Sequence, residues 1–209
     1  MPQAFQTRLH KVAKNGEKEA LQFHLETGLN NVNVRNSHRE TPLMLAATNG
    51  HSSCVQVLIE YGASVQLVDD HGRNVLHKMA MRAHLGDDAW TVGYVLAQGI
   101  NINATDNYGL TALQYSARNG HWPIVESLVQ ANASLYHRNE NGETALNEAV
   151  KNGHGYIAEI FINGGMNLNL QNNSGKQQQN NLRIHYSHLN FFLQVRLSFS
   201  MLLDVETKK

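Results

Sequence analysis

The sequence predicts an all-α repeat solenoid, a stack of helix–turn–helix units. Three markers recurring in one frame predict it. Gly142-Glu143-Thr144-Ala145-Leu146 is matched 33 residues earlier by Gly109-Leu110-Thr111-Ala112-Leu113, 37 before that by Gly72-Arg73-Asn74-Val75-Leu76, and 33 further back by Arg39-Glu40-Thr41-Pro42-Leu43. Asn15-Gly16, Asn49-Gly50, Asn119-Gly120 and Asn152-Gly153 share that frame, with Ala83 in the missing slot. Gly28, Gly62, Gly99, Asn132 and Gly165 follow at spacings of 34, 37, 33 and 33.

Each element has a physical reason. Thr7, Thr41, Thr111 and Thr144, with Asn74 in the third unit, stand where a helix is expected to begin. Such side chains accept hydrogen bonds from the unpaired N–H groups of a first turn, worth about 1 kcal/mol each. Pro42 follows at the first helical position, where a missing N–H costs nothing. Small apolar residues then recur at helical spacing: Leu43, Ala46, Ala47; Leu113, Ser116, Ala117; Leu146, Ala149, Val150. Asn-Gly ends the helix, since that pair tolerates a left-handed C-terminal cap. A second helix carries Cys54, Val55, Leu58 and Ile59 in one unit and Ile124, Val125, Leu128 and Val129 in another. Asp69-Asp70-His71-Gly72, Asp106-Asn107-Tyr108-Gly109 and Asn139-Glu140-Asn141-Gly142 have the Asx-to-Gly signature of a β-turn. The first unit reads as helices over 7–14 and about 17–26, more polar than its successors, as suits an array's end.

This frame resembles the ankyrin repeat, whose period is about 33 residues with a T-P-L-H-x-A core. Thr41-Pro42-Leu43-Met44-Leu45-Ala46-Ala47 is its nearest copy here, continued by Gly50-His51, Val55, Val57-Leu58-Ile59 and Gly62-Ala63. The resemblance covers about residues 5 to 175. It implies that the Asx-to-Gly turns project as short β-finger loops. It also implies repeats at 1–34 (an N-terminal cap), 35–67, 68–104, 105–137 and 138–170, then the finger of an incomplete sixth over 171–176. Two departures are visible. The third repeat has Asn74-Val75 for Thr-Pro and four extra residues near 84–90, and the fifth has Asn147 where the family prefers His.

Residues 177–209 break the pattern. Gln177-Gln178-Gln179-Asn180-Asn181 replaces the expected Thr-Ala-Leu. Leu193, Val195, Leu197, Phe199, Met201, Leu203 and Val205 alternate as in a strand, while Leu189, Phe192, Phe199, Met201 and Leu202 also form a helical stripe. Three fates stay open for this tail: a substitute cap on the fifth repeat, a disordered extension, or an altered reading of a longer parent chain.

Composition narrows the function. Lys plus Arg and Asp plus Glu both number 17, so the chain has no basic excess for phosphate neutralisation, which argues against nucleic acid as a partner. Its 42% apolar content suffices for a core. A single cysteine, Cys54, excludes an internal disulfide. No apolar run is long enough for a membrane span, and the start lacks the apolar stretch of a signal peptide, so a cytoplasmic or nuclear monomer is expected.

Catalytic chemistry finds little support. Twelve histidines invite a metal reading, but His51, His84, His121 and His154 share one repeat position and His10 and His77 another. In the family such histidines hydrogen-bond between neighbouring repeats. A metal needs three or four convergent ligands, whereas stacked equivalents lie about 10 Å apart. His185 and His188 form the one close pair outside the frame, with no carboxylate or cysteine beside them. Gly164 to Lys176 fails as a phosphate loop, because Leu170 and Gln177 occupy its Gly and Ser/Thr positions. Cys54 on an apolar helix face reads as a buried small hydrophobe, and Asp87-Asp88 as a helix start. No enzyme activity, cofactor or metal is expected.

The resemblance implies instead a protein-interaction module that holds a partner protein or peptide on its concave face. The candidate contact residues are His38, Glu40, His71, Arg73, Lys78, Met81, Arg82, Tyr108, Leu110, Tyr115, Arg118, Trp122, Glu143 and Glu148. Tyr, Trp and Arg, which dominate interface hot spots, concentrate in the fourth repeat and beside it. Trp122 has a competing role, packing on a neighbouring second helix. The alternative function is a substrate-recruiting or regulatory arm of a larger enzyme complex.

Overall fold

The computed structural model describes residues 2–28, 31–81, 88–164 and 166. It divides into two units, 1–166 and 167–209, and all described residues belong to the first. The expectations for Arg82, Ala83, His84, Gly165, the sixth finger, the tail and the His185/His188 pair lie outside the described residues.

Among the described residues, ten helices follow one another in pairs. They are α1 (Pro2–Asn15), α2 (Lys18–Glu26), α3 (Pro42–Thr48), α4 (Ser52–Glu60), α5 (Val75–Ala80), α6 (Asp88–Leu96), α7 (Ala112–Asn119), α8 (Trp122–Gln130), α9 (Ala145–Lys151) and α10 (Gly155–Asn163). The odd-numbered helices pack side by side in one layer and the even-numbered ones in a second. Every substantial contact between described helices lies within a repeat or between adjacent repeats. The all-α repeat solenoid is therefore the architecture of the described residues.

The helix starts follow capping chemistry. Thr41 Oγ1 accepts from Met44 N–H at 3.3 Å, in extended backbone just before Pro42. Asn74 with His77, Thr111 with Gln114 and Thr144 with Asn147 form reciprocal capping boxes. The first repeat differs from expectation. Helix α1 begins at Pro2, so Thr7 lies inside it rather than at its start. Residues 3–6, Gln-Ala-Phe-Gln, contain no helix breaker, and Pro2 opens the helix where its ring is tolerated.

The helix ends follow the Asn-Gly rule. Gly120 caps α7 at φ 79°. A Cβ there would also stand 2.6 Å from the His154 ring of the next repeat. Asn132 takes the corresponding left-handed position after α8 at φ 61°, and Arg39 occupies the finger Gly slot of the second repeat at φ 58°. The fingers are turns rather than strands: among the described residues one isolated antiparallel bridge, Thr105 to Thr111, supplies their β character.

The core lies between the two layers. Leu9, Leu21, Leu43, Leu58, Leu76, Leu113, Leu128, Ile157 and Phe161 are all fully buried. Cys54 is buried with them, and burial pushes its thiol upward from its ordinary value, so it behaves as a small hydrophobe.

A second ladder is polar. His10 Nε2 donates to Glu40 O (3.1 Å), His77 Nε2 to Leu110 O (3.0 Å) and Gln114 Nε2 to Glu143 O (2.7 Å), each reaching into the next repeat. His51 Nε2, His121 Nδ1 and His154 Nε2 meet the carbonyls of Lys14, Ala80 and Arg118 at 2.9–3.0 Å. These stacked histidines tie repeats together. Among the described residues no group of three or more His, Cys, Asp or Glu is arranged to hold a metal ion, and no helix is long and apolar enough to cross a membrane.

Candidate partner-binding face

Four fingers share one local construction. Oδ1 of Asn36, Asp69, Asp106 and Asn139 each accepts the backbone N–H groups two and four residues on, at 2.9–3.0 Å. Adjacent fingers are then linked, Asp70 N–H donating to His38 O (3.2 Å) and Asn107 N–H to His71 O (2.9 Å). The first three tips thus stand in one hydrogen-bonded row.

In Asp69, Asp106 and Asn139 the second polar atom turns inward and selects its partner on the first helix, whereas Asn36 Nδ2 donates to Glu40 of its own finger at 3.0 Å. Asp69 Oδ2 receives Lys78 Nζ at 2.8 Å and Arg73 Nη2 at 2.8 Å. Asp106 Oδ2 receives the Tyr115 hydroxyl at 2.6 Å. Asn139 Nδ2 donates to Glu148 Oε1 at 3.4 Å. Lys78, Tyr115 and Glu148 occupy one repeat position, nine residues after the base, so a carboxylate faces a donor and an amide N–H faces a carboxylate.

Further ion pairs close this inner wall. Lys78 Nζ bridges to Glu40 of the preceding repeat at 2.7 Å. Arg118 clamps Glu148 of the following repeat with two bonds, 2.9 and 2.7 Å. Lys151 pairs with Glu143 at 3.2 Å, and the Arg118 guanidinium lies 5.8 Å from the centre of the Tyr115 ring. Burial pushes the Asp69 carboxyl upward, but bonds from Lys78 and Arg73 outweigh it and hold the group well below the usual carboxylate range. Glu40 is likewise lowered, its bonds from Lys78 and Asn36 exceeding the effect of burial. Burial and the bond to Asp106 both push the Tyr115 hydroxyl upward. Bonding to Glu148 raises Arg118.

The candidate residues therefore fall into three places. His38, His71 and Tyr108 stand exposed on the finger tips, with His71 and Tyr108 rings stacked at 6.2 Å. Asp70 sits between the two histidines, 3.7 Å from each. Glu40, Arg73, Lys78, Met81, Leu110, Tyr115, Arg118, Glu143 and Glu148 form the wall behind them. Of these, Lys78, Leu110, Tyr115, Glu143 and Glu148 are buried, while Glu40, Arg73, Met81 and Arg118 are half-buried. Trp122 lies apart, on α8 in the even-numbered layer, its ring edge-on to Tyr156 of the next repeat at 5.8 Å and 43% exposed. Sequence reasoning passed over Asp69, Asp106 and Asn139 as wall residues. Their turn signature accounts for only one of the two terminal atoms.

Comparison with known proteins agrees with this construction. The family model for ankyrin repeats (3 copies) matches residues 9–106 and 79–172, and this chain belongs to the ankyrin-repeat family. XBAT31 of Arabidopsis thaliana, which bears the name of an E3 ubiquitin-protein ligase, is 34% identical over 145 residues, 61% of this chain and 31% of that protein. The E3 ubiquitin-protein ligase KEG of Arabidopsis thaliana is 30% identical over 128 residues, 60% of this chain and 8% of its own length. Human ankyrin repeat domain-containing protein 63 is 29% identical over 116 residues, 54% of this chain and 30% of that protein. The chain thus spans less than a third of these curated relatives.

Proposed function

We propose that this protein is a non-catalytic interaction module that holds a partner protein or peptide along its finger row, acting in the cytoplasm or nucleus as an adaptor. One observation carries the reading. His38, Asp70, His71 and Tyr108 present exposed side chains on a row whose backbone is fixed from finger to finger. A row of exposed rings and charges on a fixed backbone binds with a smaller ordering cost, since the loops need not be immobilised on contact. The paired wall behind it supplies rigidity, and Glu40, Arg73, Met81 and Arg118 are its half-buried residues.

The test is capture by the full chain, wild type against His71→Ala with Tyr108→Ala. The double variant removes exposed rings only, so its melting curve stays unchanged. It is expected to lose partner capture by at least tenfold, two hot-spot side chains accounting for roughly 2 kcal/mol or more together. Capture that persists at the wild-type level would remove the finger row from the binding face.

A second reading has support from the relatives. Two of them bear the names of E3 ubiquitin-protein ligases and are several times longer than the matched region. The same face would then recruit a substrate to a larger enzyme assembly. A captured partner whose ubiquitination in cells falls with the His71/Tyr108 double variant supports this reading, and unchanged modification counts against it.

A further inference from the structure

Cations on the binding face are matched by carboxylates everywhere but at one end. In repeats two to five each described Lys or Arg of the wall faces a carboxylate: Arg73 meets Asp69, Lys78 meets Asp69 and Glu40, Arg118 meets Glu148 and Lys151 meets Glu143. Helix α1 continues the same wall. Its His10 bonds to Glu40 O as His77 does to Leu110 O, so Lys11 stands in the column of Lys78, Tyr115 and Glu148, and Lys14 in that of Met81, Arg118 and Lys151. Both lysines are exposed, and among the described residues neither ammonium has a hydrogen bond or ion pair. The place that Asp69 holds for Lys78, nine residues earlier, falls for Lys11 on Pro2, the first residue of α1. Glu17, the nearest acidic residue in the sequence, accepts from Asn15 Nδ2 at 2.7 Å instead.

A third cation stands at this end at a backbone cost. Arg39 occupies the finger slot that Gly72, Gly109 and Gly142 fill in later repeats, and it holds φ 58°, a left-handed conformation that favours glycine. Its side chain is exposed and, among the described residues, makes no hydrogen bond or ion pair. Strain that gains the fold no side-chain contact points to use by a ligand. The three cations are brought together by one hydrogen bond. Arg39 adjoins Glu40, whose carbonyl lies 3.1 Å from His10 Nε2, and Lys11 adjoins His10. Further along the row the tips change sign: the second finger exposes Asp70, 3.7 Å from His38 and from His71, and the fourth exposes Glu140.

This end of the face selects a ligand by charge. A cationic segment would be repelled, and an apolar one would desolvate three charges without pairing them. Lysines three residues apart on a helix have Cβ atoms about 5–6 Å apart. Alternate side chains of an extended chain point the same way at a spacing of about 6.5 Å, so carboxylates on alternate residues meet both ammonium groups. We propose, resting on the finger-row reading above, that Lys11, Lys14 and Arg39 receive an extended acidic segment of the partner protein, and so fix which end of that partner lies on the first repeat.

The full 209-residue protein is titrated at about 20 mM salt with fluorescein-labelled dodecapeptides, one of alternating Glu and Gly and one of alternating Lys and Gly, and binding is read by anisotropy. The Glu peptide is expected to bind saturably and to weaken as salt rises to about 0.5 M, and the Lys peptide not to bind. Lys11→Glu/Lys14→Glu is expected to lower affinity about tenfold. Lys18→Glu, a charge reversal on α2 away from the wall, is expected to leave it unchanged. Arg39→Gly removes the guanidinium and suits the left-handed backbone, so its melting temperature holds or rises while affinity falls about threefold. A peptide with three phosphoserines, similar in charge to the Glu peptide, is expected to bind no more tightly; tighter binding would give the lysines to phosphate and overturn the choice of carboxylates. Wild-type affinity in the lysine pair variant, an equal loss in Lys18→Glu, or no preference for the Glu peptide would also overturn the proposal. Should the lysine pair variant melt early, Arg39→Gly decides alone. None of these readouts involves His71 or Tyr108, so a failure here is separate from a failure of the finger-row capture test.

Discussion

At the scale of the residue, one position shows how different side chains meet a single demand. His77 and Gln114 stand at equivalent places in successive repeats. Each accepts the N–H of its own helix cap, Asn74 or Thr111, and each donates to a carbonyl of the next repeat. His77 fills both roles only when neutral, with the proton on Nε2. Burial lowers its pKa from the ordinary 6.5, which keeps it in that form. The unfolded chain therefore takes up a proton at a higher pH than the folded one. Stability from this group is full above about pH 6.5 and is lost as pH falls through and below that value. His77→Gln keeps both hydrogen bonds and removes the titration. Urea midpoints measured from pH 7.5 to 5 are expected to fall less steeply in the variant. Parallel curves would show that His77 is not the titrating group.

At the scale of the element, each finger is a turn that also specifies its helix. Asp69 folds its own loop through Oδ1 and holds Lys78 and Arg73 through Oδ2. Lys78 is almost completely buried and carries its charge between Asp69 and Glu40. Asp69→Ala leaves that ammonium with one partner and strips the loop of two acceptor bonds. It is expected to cost about 3–5 kcal/mol, as loss of one member of a buried pair does, and equilibrium unfolding measures it. Because the Asp69 pKa is depressed, its contribution is present above the unfolded value near 3.8 and disappears only as pH falls well below it. The elements were legible in the sequence for the same local reasons. Thr or Asn at a cap, Asn-Gly at a helix end and Asx-to-Gly at a turn act within a few residues. Helix α1 departed because Thr7 lies in a stretch with nothing to break a helix, and a hydroxyl alone does not start one. The wall pairs were less legible. Lys78, Tyr115 and Glu148 are unlike one another, and only their facing partners Asp69, Asp106 and Asn139 make the differences intelligible. Trp122 is near the finger residues of its repeat in sequence, yet the second helix carries it to the other layer.

At the scale of the whole molecule, stability is passed between neighbours. Substantial helix contacts stop at the adjacent repeat, and the polar ladder has the same reach: His77 to Leu110, Gln114 to Glu143, His154 to Arg118. A stack of this kind behaves as a sum of repeat and interface contributions, so damage spreads with attenuation along one axis. Phe161 is fully buried on α10 in the fifth repeat, the last of the described helices. Phe161→Ala removes a large side chain from that core and is expected to cost roughly 3–5 kcal/mol locally. Amide exchange should then speed most in α9 and α10 and less in α7 and α8, which touch them directly. Helices α1 to α4, three or more repeats away, should keep wild-type protection, because no packed contact carries the loss that far. Uniform acceleration from α1 to α10 would instead describe a single cooperative body, in which a repeat's contribution cannot be assigned to its own contacts. The graded profile also predicts that finger-row binding, centred on His71 and Tyr108 in the third and fourth repeats, survives this variant with most of its affinity.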